Sequence, residues 1–238
     1  MKIALIGYGK MGKTIESIAI ERGHTVDLKI DIDSIAGFTK ENLQQCDVAI
    51  EFTGPHSAKE NILKCLAAGI PMISGSTGWL DSWTEVEKTC KEKNGSFLYA
   101  SNFSVGVNIF FELNKKLAQL MKLQDHEISM EEIHHTQKKD APSGTAITLA
   151  EQIQHEIPRK KNWVNHETKN PQELVIISKR EDPAPGTHSI KYSSAVDDIE
   201  IIHTAHSRQG FALGAVLAAE FIKDKKGIFT MKDVLNIT

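Results

Sequence analysis

Cysteine is scarce in this chain. Cys46, Cys65 and Cys90 are scattered, odd in number and form no C-x-x-C pair. That pattern excludes a disulfide framework and a thiolate metal cluster, and a reducing, cytoplasmic setting is expected. Each reads as a small core filler or a partly exposed thiol. Long apolar runs are missing too. None approaches the roughly 18 residues that a bilayer demands, so no membrane partner is expected. There is no surplus of positive charge: Lys plus Arg number 28 against 31 Asp plus Glu. No basic field therefore exists for nucleic acid, although a local pocket for a small anion stays open. Internal repeats and low-complexity segments are absent. The opening Met1–Gly7 becomes a strand and a glycine turn too soon for a signal peptide.

What is present suits two domains, since 238 residues exceed the roughly 100–150 typical of one. The first hundred alternate as strand and helix. Strands are expected over Lys2–Ile6, Val26–Ile32, Val48–Phe52, Pro71–Ser74 and Phe97–Ala100. A helix should run from about Met11 to a stop at Gly23. Ser57 and Glu60 form a capping-box pattern for a helix ending at Gly69, and another passes through Val86 and Cys90. Such alternation predicts a doubly wound parallel sheet of the Rossmann type. After about Asn102 the pattern changes. A long helix, Ile109–Met121, precedes a strand over His126–His134, and Ser143 can cap a helix through Ile147, Leu149 and Ile153. Leu174–Ser178, His188–Tyr192 and Ile199–His206 read as strands with short, antiparallel connections, and Arg159–Gln172 as a mobile loop. This is an α+β unit with an open mixed sheet, whose uncovered face would pack on another subunit. The apolar helix Phe211–Ile222 should return to the first domain. The expected division is a dinucleotide-binding domain over 1–103, a substrate-binding and oligomerisation domain over 104–207, and a returning segment over 208–238.

Gly7-Tyr8-Gly9-Lys10-Met11-Gly12 fits G-x-G-x-x-G between an expected strand and an expected helix. Gly7 allows the tight turn, Gly9 lets backbone approach a pyrophosphate, and Gly12 lets the helix pack on the strand. The helix N-terminus offers unpaired N–H groups to phosphate. Asp31 lies 19 residues beyond Gly12, close to the spacing of a ribose-binding acid, and should favour NADH by repelling a 2′-phosphate. Lys29, on the same strand face, complicates that choice. Phe52-Thr53-Gly54-Pro55 and Gly75-Ser76-Thr77-Gly78 follow the third and fourth strands. Open α/β sheets bind ligands at those ends.

The most unusual stretch is Glu132-Ile133-His134-His135-Thr136-Gln137-Lys138-Lys139-Asp140-Ala141-Pro142-Ser143-Gly144-Thr145-Ala146. Strand neighbours face opposite ways, so His134 and His135 cannot both face one site. Ser143-Gly144-Thr145 opens a helix and forms a nest for a carboxylate. A lysine, a titratable imidazole and that nest together suit an acidic substrate. A metal reading would combine His134 or His135 with His188, His203 or His206, but no tight ligand spacing supports it, and no metal is expected.

This segment resembles the E-x-H-H-x-x-K-x-D-A-P-S-G-T-A signature of the dihydrodipicolinate (4-hydroxy-tetrahydrodipicolinate) reductases. The resemblance also takes in Gly7–Gly12, Gly75–Gly78, Ala100-Ser101-Asn102-Phe103-Ser104-Val105-Gly106-Val107-Asn108 and His203-Thr204-Ala205-His206-Ser207-Arg208. It implies hydride transfer from NADH or NADPH to a cyclic dicarboxylate in the diaminopimelate route to lysine. By resemblance, His134 is a proton donor or acceptor and Lys138 a proton donor. His135, Ser143, Gly144 and Thr145 bind substrate, and Arg208 is a second carboxylate clamp. Gly7, Tyr8, Gly9, Lys10, Met11, Gly12, Asp31, Phe52, Thr53, Gly75, Ser76, Thr77, Ala100, Ser101, Asn102 and Phe103 bind cofactor. The family fold implies a homotetramer assembled through the open sheet. This chain is a short form: its glycine turn has one residue fewer than the commoner G-x-x-G-x-M-G, and no Arg directly follows Asp31, which leaves the choice between NADH and NADPH open. The rival readings are another small imino- or amino-acid dehydrogenase and a non-catalytic dinucleotide sensor; a sensor has no need of His134–Thr145.

Overall fold

The computed structural model describes residues 1–237. In chain order the elements are β1 (Lys2–Ile6), α1 (Lys10–Glu21), β2 (Thr25–Ile30), α2 (Lys40–Leu43), β3 (Val48–Glu51), α3 (Pro55–Ala68), β4 (Met72–Ser74), α4 (Trp83–Glu92), β5 (Ser96–Tyr99) and α5 (Val105–Met121). There follow β6 (Glu127–His134), α6 (Gly144–Glu156), β7 (Asn162–Val164), β8 (Glu173–Arg180), β9 (Gly186–Ser193), β10 (Asp198–Ala205), α7 (Gln209–Ile222), β11 (Gly227–Phe229) and α8 (Met231–Leu235). The chain divides into two compact units, one of Met1–Val105 with the residues from Arg208 onward, the other Gly106–Ser207. No helix among the described residues is long and apolar enough to cross a membrane.

The first unit holds a parallel sheet in the order β11-β5-β4-β3-β1-β2. Its inner strands β1, β3 and β4 are buried on both faces because helices cover both. Ile3 and Leu5 of β1 join Ile15 and Ile18 of α1 and Ala215 and Val216 of α7. Ala4 and Ile6 face the other way, onto Ala58 and Ile62 of α3 and Val86 of α4. Each large apolar side chain so buried contributes about 1.5–3 kcal/mol. Cys65 and Cys90 are buried in this second layer and Cys46 is half-buried; burial pushes the Cys46 thiol up to about 11.

Several boundaries differ from expectation, the long helix α5 beginning at Val105 and not Ile109; two have a visible local cause. The second strand stops at Ile30, not Ile32, because the Asp31 carboxylate accepts the Ile32 N–H at 2.9 Å and caps a 3-10 turn. The Ser57–Glu60 pattern is not a capping box. The helix begins earlier, with Gly54 at the cap and Pro55 in the first turn, and the Ser57 hydroxyl donates to Thr53 Oγ1.

The second unit holds a mixed sheet in the order β10-β9-β6-β8-β7. The expected antiparallel pairing of Leu174–Ser178 is corrected: β8 lies parallel to β6, with α6 as the crossover between them. β9 is antiparallel to both β6 and β10. The polar stretch Arg159–Gln172, expected as a loop, contains β7, which pairs with the edge of β8. Helices α5 and α6 cover one sheet face with Phe110, Met121, Leu149 and Ile153 against Ile128, Met130, Ile176 and Tyr192. The Asn114 amide of α5 donates to the Leu149 carbonyl of α6 at 3.1 Å.

Candidate active site

In the first unit, three adjacent strands end side by side and the loops leaving them enclose a cavity of about 400 Å³. Gly7 and Gly9, Asp31, Phe52 and Thr53 line it. Gly7 has φ +94°, and a β-carbon there would lie 2.1 Å from the Phe52 carbonyl oxygen. Gly9 is the opposite case: nothing lies within 4 Å of where its β-carbon would be. It stands at the start of α1, which no side chain caps. That open helix start offers unpaired N–H groups of the kind that hold a phosphate. Gly12 is a packing residue, its β-carbon position 2.4 Å from the Gly7 carbonyl oxygen.

Lys29 does not face an incoming phosphate unpaired. Its ammonium sits 2.6 Å from Glu16 Oε1 and 4.9 Å from the centre of the Tyr8 ring, and the Tyr8 hydroxyl also donates to Glu16. These partners hold the Glu16 carboxyl below its ordinary range. Asp31 is exposed at the cavity wall.

The remaining expected cofactor residues lie outside this cavity's lining, three of them on the loop that follows β4. A fully buried carboxylate, Glu51, joins two loops there. It accepts the Thr53 N–H at 2.8 Å, the Ser74 hydroxyl at 2.6 Å and the Ser76 hydroxyl at 2.7 Å. Ser76 Oγ in turn accepts the Thr53 N–H at 2.9 Å. Gly75 lies against Phe52, whose ring would be 2.2 Å from a β-carbon, and Phe52 tilts onto Phe103 with centroids 5.6 Å apart. Ala100 is buried, Met11 packs against the same core, and Asn102 Oδ1 accepts the Ser104 N–H at 2.9 Å. Lys10, Thr77 and Ser101 are exposed.

In the second unit, strand alternation turns Ile128, Met130, Glu132 and His134 of β6 to the helix-covered face. Pairing sets His188 of β9 and Ser178 of β8 opposite Glu132, and Arg180 opposite His134. The expectation that the two histidines part company holds: His134 is buried, whereas His135 lies past the strand end and is half-buried. Gly186 makes room for the His134 ring, whose Nε2 would lie 3.0 Å from a β-carbon there.

Glu132 is wholly buried and both its oxygens accept the Ser143 N–H, at 3.0 and 3.1 Å. Arg180 Nη2 donates to Oε1 at 3.3 Å. His134 Nδ1 lies 3.4 Å, and His188 Nε2 3.7 Å, from Oε2. Burial alone would raise the Glu132 carboxyl, but hydrogen bonds from Ser143 and Ser178 hold it below its ordinary value. Burial depresses His134, with Lys138 and Arg180 adding to the effect and Glu132 opposing it. Burial lowers His188 to about 4. The Glu132, His134 and His188 donor atoms lie within 4.8 Å of one another, yet the carboxylate already serves Ser143 and Arg180, and His188 Nε2 lies 3.2 Å from Ser143 Oγ. This is a hydrogen-bonded network rather than the His-rich metal set considered from sequence.

Lys138 sits on the turn after β6 and its ammonium donates to both Asp140 oxygens at 2.8 Å. Ser143 caps α6, its Oγ accepting the Ala146 N–H at 3.2 Å, as its position before the helix predicts. Gly144 and Thr145 form the first turn, and nothing lies within 4 Å of a β-carbon at Gly144. Lys138, His134 and the Ser143–Thr145 nest therefore belong to one neighbourhood. Arg208 belongs to the first unit, exposed at the start of α7.

Residues 1–103 match the family described as "Dihydrodipicolinate reductase, N-terminus", and residues 106–235 match "Dihydrodipicolinate reductase, C-terminus". The chain belongs to the dihydrodipicolinate reductase family. A curated relative from Christiangramia forsetii, named 4-hydroxy-tetrahydrodipicolinate reductase, is 53% identical over 99% of this chain and 98% of its own length. A relative of the same name from Methanocaldococcus jannaschii is 35% identical over 98% of this chain and 81% of its own. A solved structure, a dipicolinate-bound dihydrodipicolinate reductase from Paenisporosarcina sp. TG-14, shares the fold with a TM-score of 0.79 at 22% identity, covering 100% of this chain and 99% of its own.

Within this dihydrodipicolinate reductase fold, Glu51 and Arg180 carry no role in the sequence reading. His188 entered it only as a metal-ligand candidate, and Glu132 only as the first residue of the signature, two residues from His134 and so on the same strand face. Arg180 and His188 are brought to it by strand pairing.

Proposed function

We propose that this chain reduces 4-hydroxy-tetrahydrodipicolinate with NADH in preference to NADPH, as a step in the diaminopimelate route to lysine. The observation that carries the reaction is the convergence of His134, Lys138 and the Ser143–Thr145 nest beside one buried carboxylate, in a chain 53% identical to a reductase of that name. When bound, the dinucleotide supplies the hydride. The chain's own residues bind, orient and handle protons. The nest and the Lys138 ammonium take the substrate carboxylates, and His135 lines the same turn. The substrate's 4-hydroxyl leaves as water, and the negative charge that the hydride then places on the ring is met by a proton from Lys138 or His134. His134 is suited to both directions of transfer because burial keeps it neutral near pH 7 while arriving carboxylates favour its charged form.

The NADH preference rests on the exposed Asp31 carboxylate at the cavity wall and on Lys29 being paired with Glu16. The sheet face away from α5 and α6 bears the exposed Ile202, which supports assembly into a homotetramer through that sheet. The deciding assay follows NADH and NADPH oxidation with the freshly made product of dihydrodipicolinate synthase. Turnover with NADH at the higher kcat/KM is expected. No turnover with either cofactor would overturn the proposal.

A further inference from the structure

We propose that Glu132 is a positioning residue that holds His134 with its proton on Nδ1, leaving Nε2 to exchange protons with substrate, while fixing the nest and the lysine turn in register with it. This rests on the reading of His134 as the proton-transfer group. His134 Nδ1 is buried and makes no hydrogen bond. Its nearest ionic neighbour is Glu132 Oε2, 3.4 Å away. A lone pair on Nδ1 would face carboxylate lone pairs; a proton there faces an acceptor. The second arrangement is favoured, so Nε2, on the Gly186 side of the ring, carries the lone pair.

The same carboxylate reaches the other two parts of the site. Its oxygens take the Ser143 N–H and so set the position of the α6 start. Through Arg180 it reaches the lysine turn: that guanidinium binds Glu132 Oε1 at 3.3 Å, the Asp140 carbonyl at 2.6 Å and the Lys138 carbonyl at 3.4 Å. His188 closes the network from β9, its ring 5.1 Å from that of His134 and its Nε2 against Ser143 Oγ. The charged and titratable groups acting on His134 are therefore Glu132, Lys138, Asp140, Arg180 and His188, with His203 acting on His188 from β10. Of these, Glu132 and Asp140 favour the imidazolium, and Glu132 is the stronger.

The test is Glu132→Gln, which keeps size and removes charge. With 13C-labelled histidine, the His134 signal (identified by its loss in His134→Gln) should titrate about one pH unit lower than in wild type. The pH profile of kcat should move the same way, kcat should fall at least tenfold, and the KM for NADH should stay within twofold. An unchanged His134 titration and unchanged kcat in Glu132→Gln would overturn the proposal. A His134→Gln enzyme with wild-type kcat would instead defeat the reading of His134 itself, so the two failures are distinguishable. Glu132→Asp serves if the glutamine variant does not fold. Its charge should keep the His134 titration near wild type, while its shorter reach should raise the KM for the substrate about tenfold. Wild-type kcat and KM in Glu132→Asp would overturn the proposal equally.

Discussion

Gly214 of α7 lies so close to Phe103 that a β-carbon on it would stand 1.7 Å from the Phe103 carbonyl oxygen. Backbone cannot give way there as a flexible side chain can. Gly214→Ala should therefore cost at least about 2 kcal/mol by overpacking, lowering Tm by roughly 4–8 °C. Gly210, one turn earlier, is the control. Its nearest neighbour is Ser104 Oγ at 3.6 Å, an ordinary contact. Gly210→Ala should leave Tm unchanged or slightly raised. Equal melting of the two variants would contradict the packing argument.

His134 and Lys138 are expected to matter for chemistry more than for folding. His134→Ala and Lys138→Ala should each lower kcat about 100-fold or more, the usual scale of lost acid–base catalysis, with the KM for NADH within twofold. Steady-state kinetics with both substrates varied checks this. Wild-type rates in both variants would mean that the protons come from elsewhere.

Asp31 has two jobs that one substitution separates. Its carboxylate caps the turn after β2 through the Ile32 N–H, and its charge repels a 2′-phosphate. Asn caps as well as Asp but carries no charge. Asp31→Asn should keep Tm and lower the ratio of kcat/KM for NADH over NADPH at least tenfold. An unchanged ratio would show that discrimination lies with other cavity residues.

The sequence made one side of each relationship legible and hid the other. Period-two alternation along β6 separates His134 from His135, and Ser143 before an apolar helix announces a cap. Arg180 and His188 stand far along the chain from Glu132, and only the parallel crossover through α6 and the antiparallel return of β9 bring them to it. Short elements were equally opaque. β7 and β11 are three residues each and owe their extension to a neighbouring strand's edge. Misread boundaries had local causes: Asp31 caps its own turn, and Pro55 starts a helix ahead of the Ser57 pattern.

His188 should make folding stability depend on pH. Burial lowers its folded pKa from 6.5 to about 4, so the unfolded chain binds the proton more readily. Its contribution is complete above pH 6.5 and is lost as pH falls toward about 4, to the extent of about 3 kcal/mol. Urea unfolding between pH 7.5 and 4.5 measures the slope. His188→Gln should flatten it by up to one proton; an identical slope in the variant would assign the loss to other groups.

Glu51 ties the β3 loop to the β4 loop, and its loss should be felt at the cofactor. Thr53, a cavity residue, presents both its N–H and its hydroxyl to this carboxylate, and Ser74 and Ser76 donate to it as well. Every donor points at one buried acceptor pair. Gln at this position must turn an NH2 group toward groups that are themselves donating, so at least one hydrogen bond is lost and a loop shifts. A buried donor left without a partner costs about 1–3 kcal/mol, and Tm should fall accordingly. Glu51→Gln should also weaken NADH binding five- to tenfold, read by quenching of protein fluorescence, while kcat at saturating NADH stays within twofold. That split follows because Glu51 touches neither His134 nor Lys138 and acts only through Thr53 and Ser76. A fall in Tm with unchanged NADH affinity would make Glu51 a core residue alone.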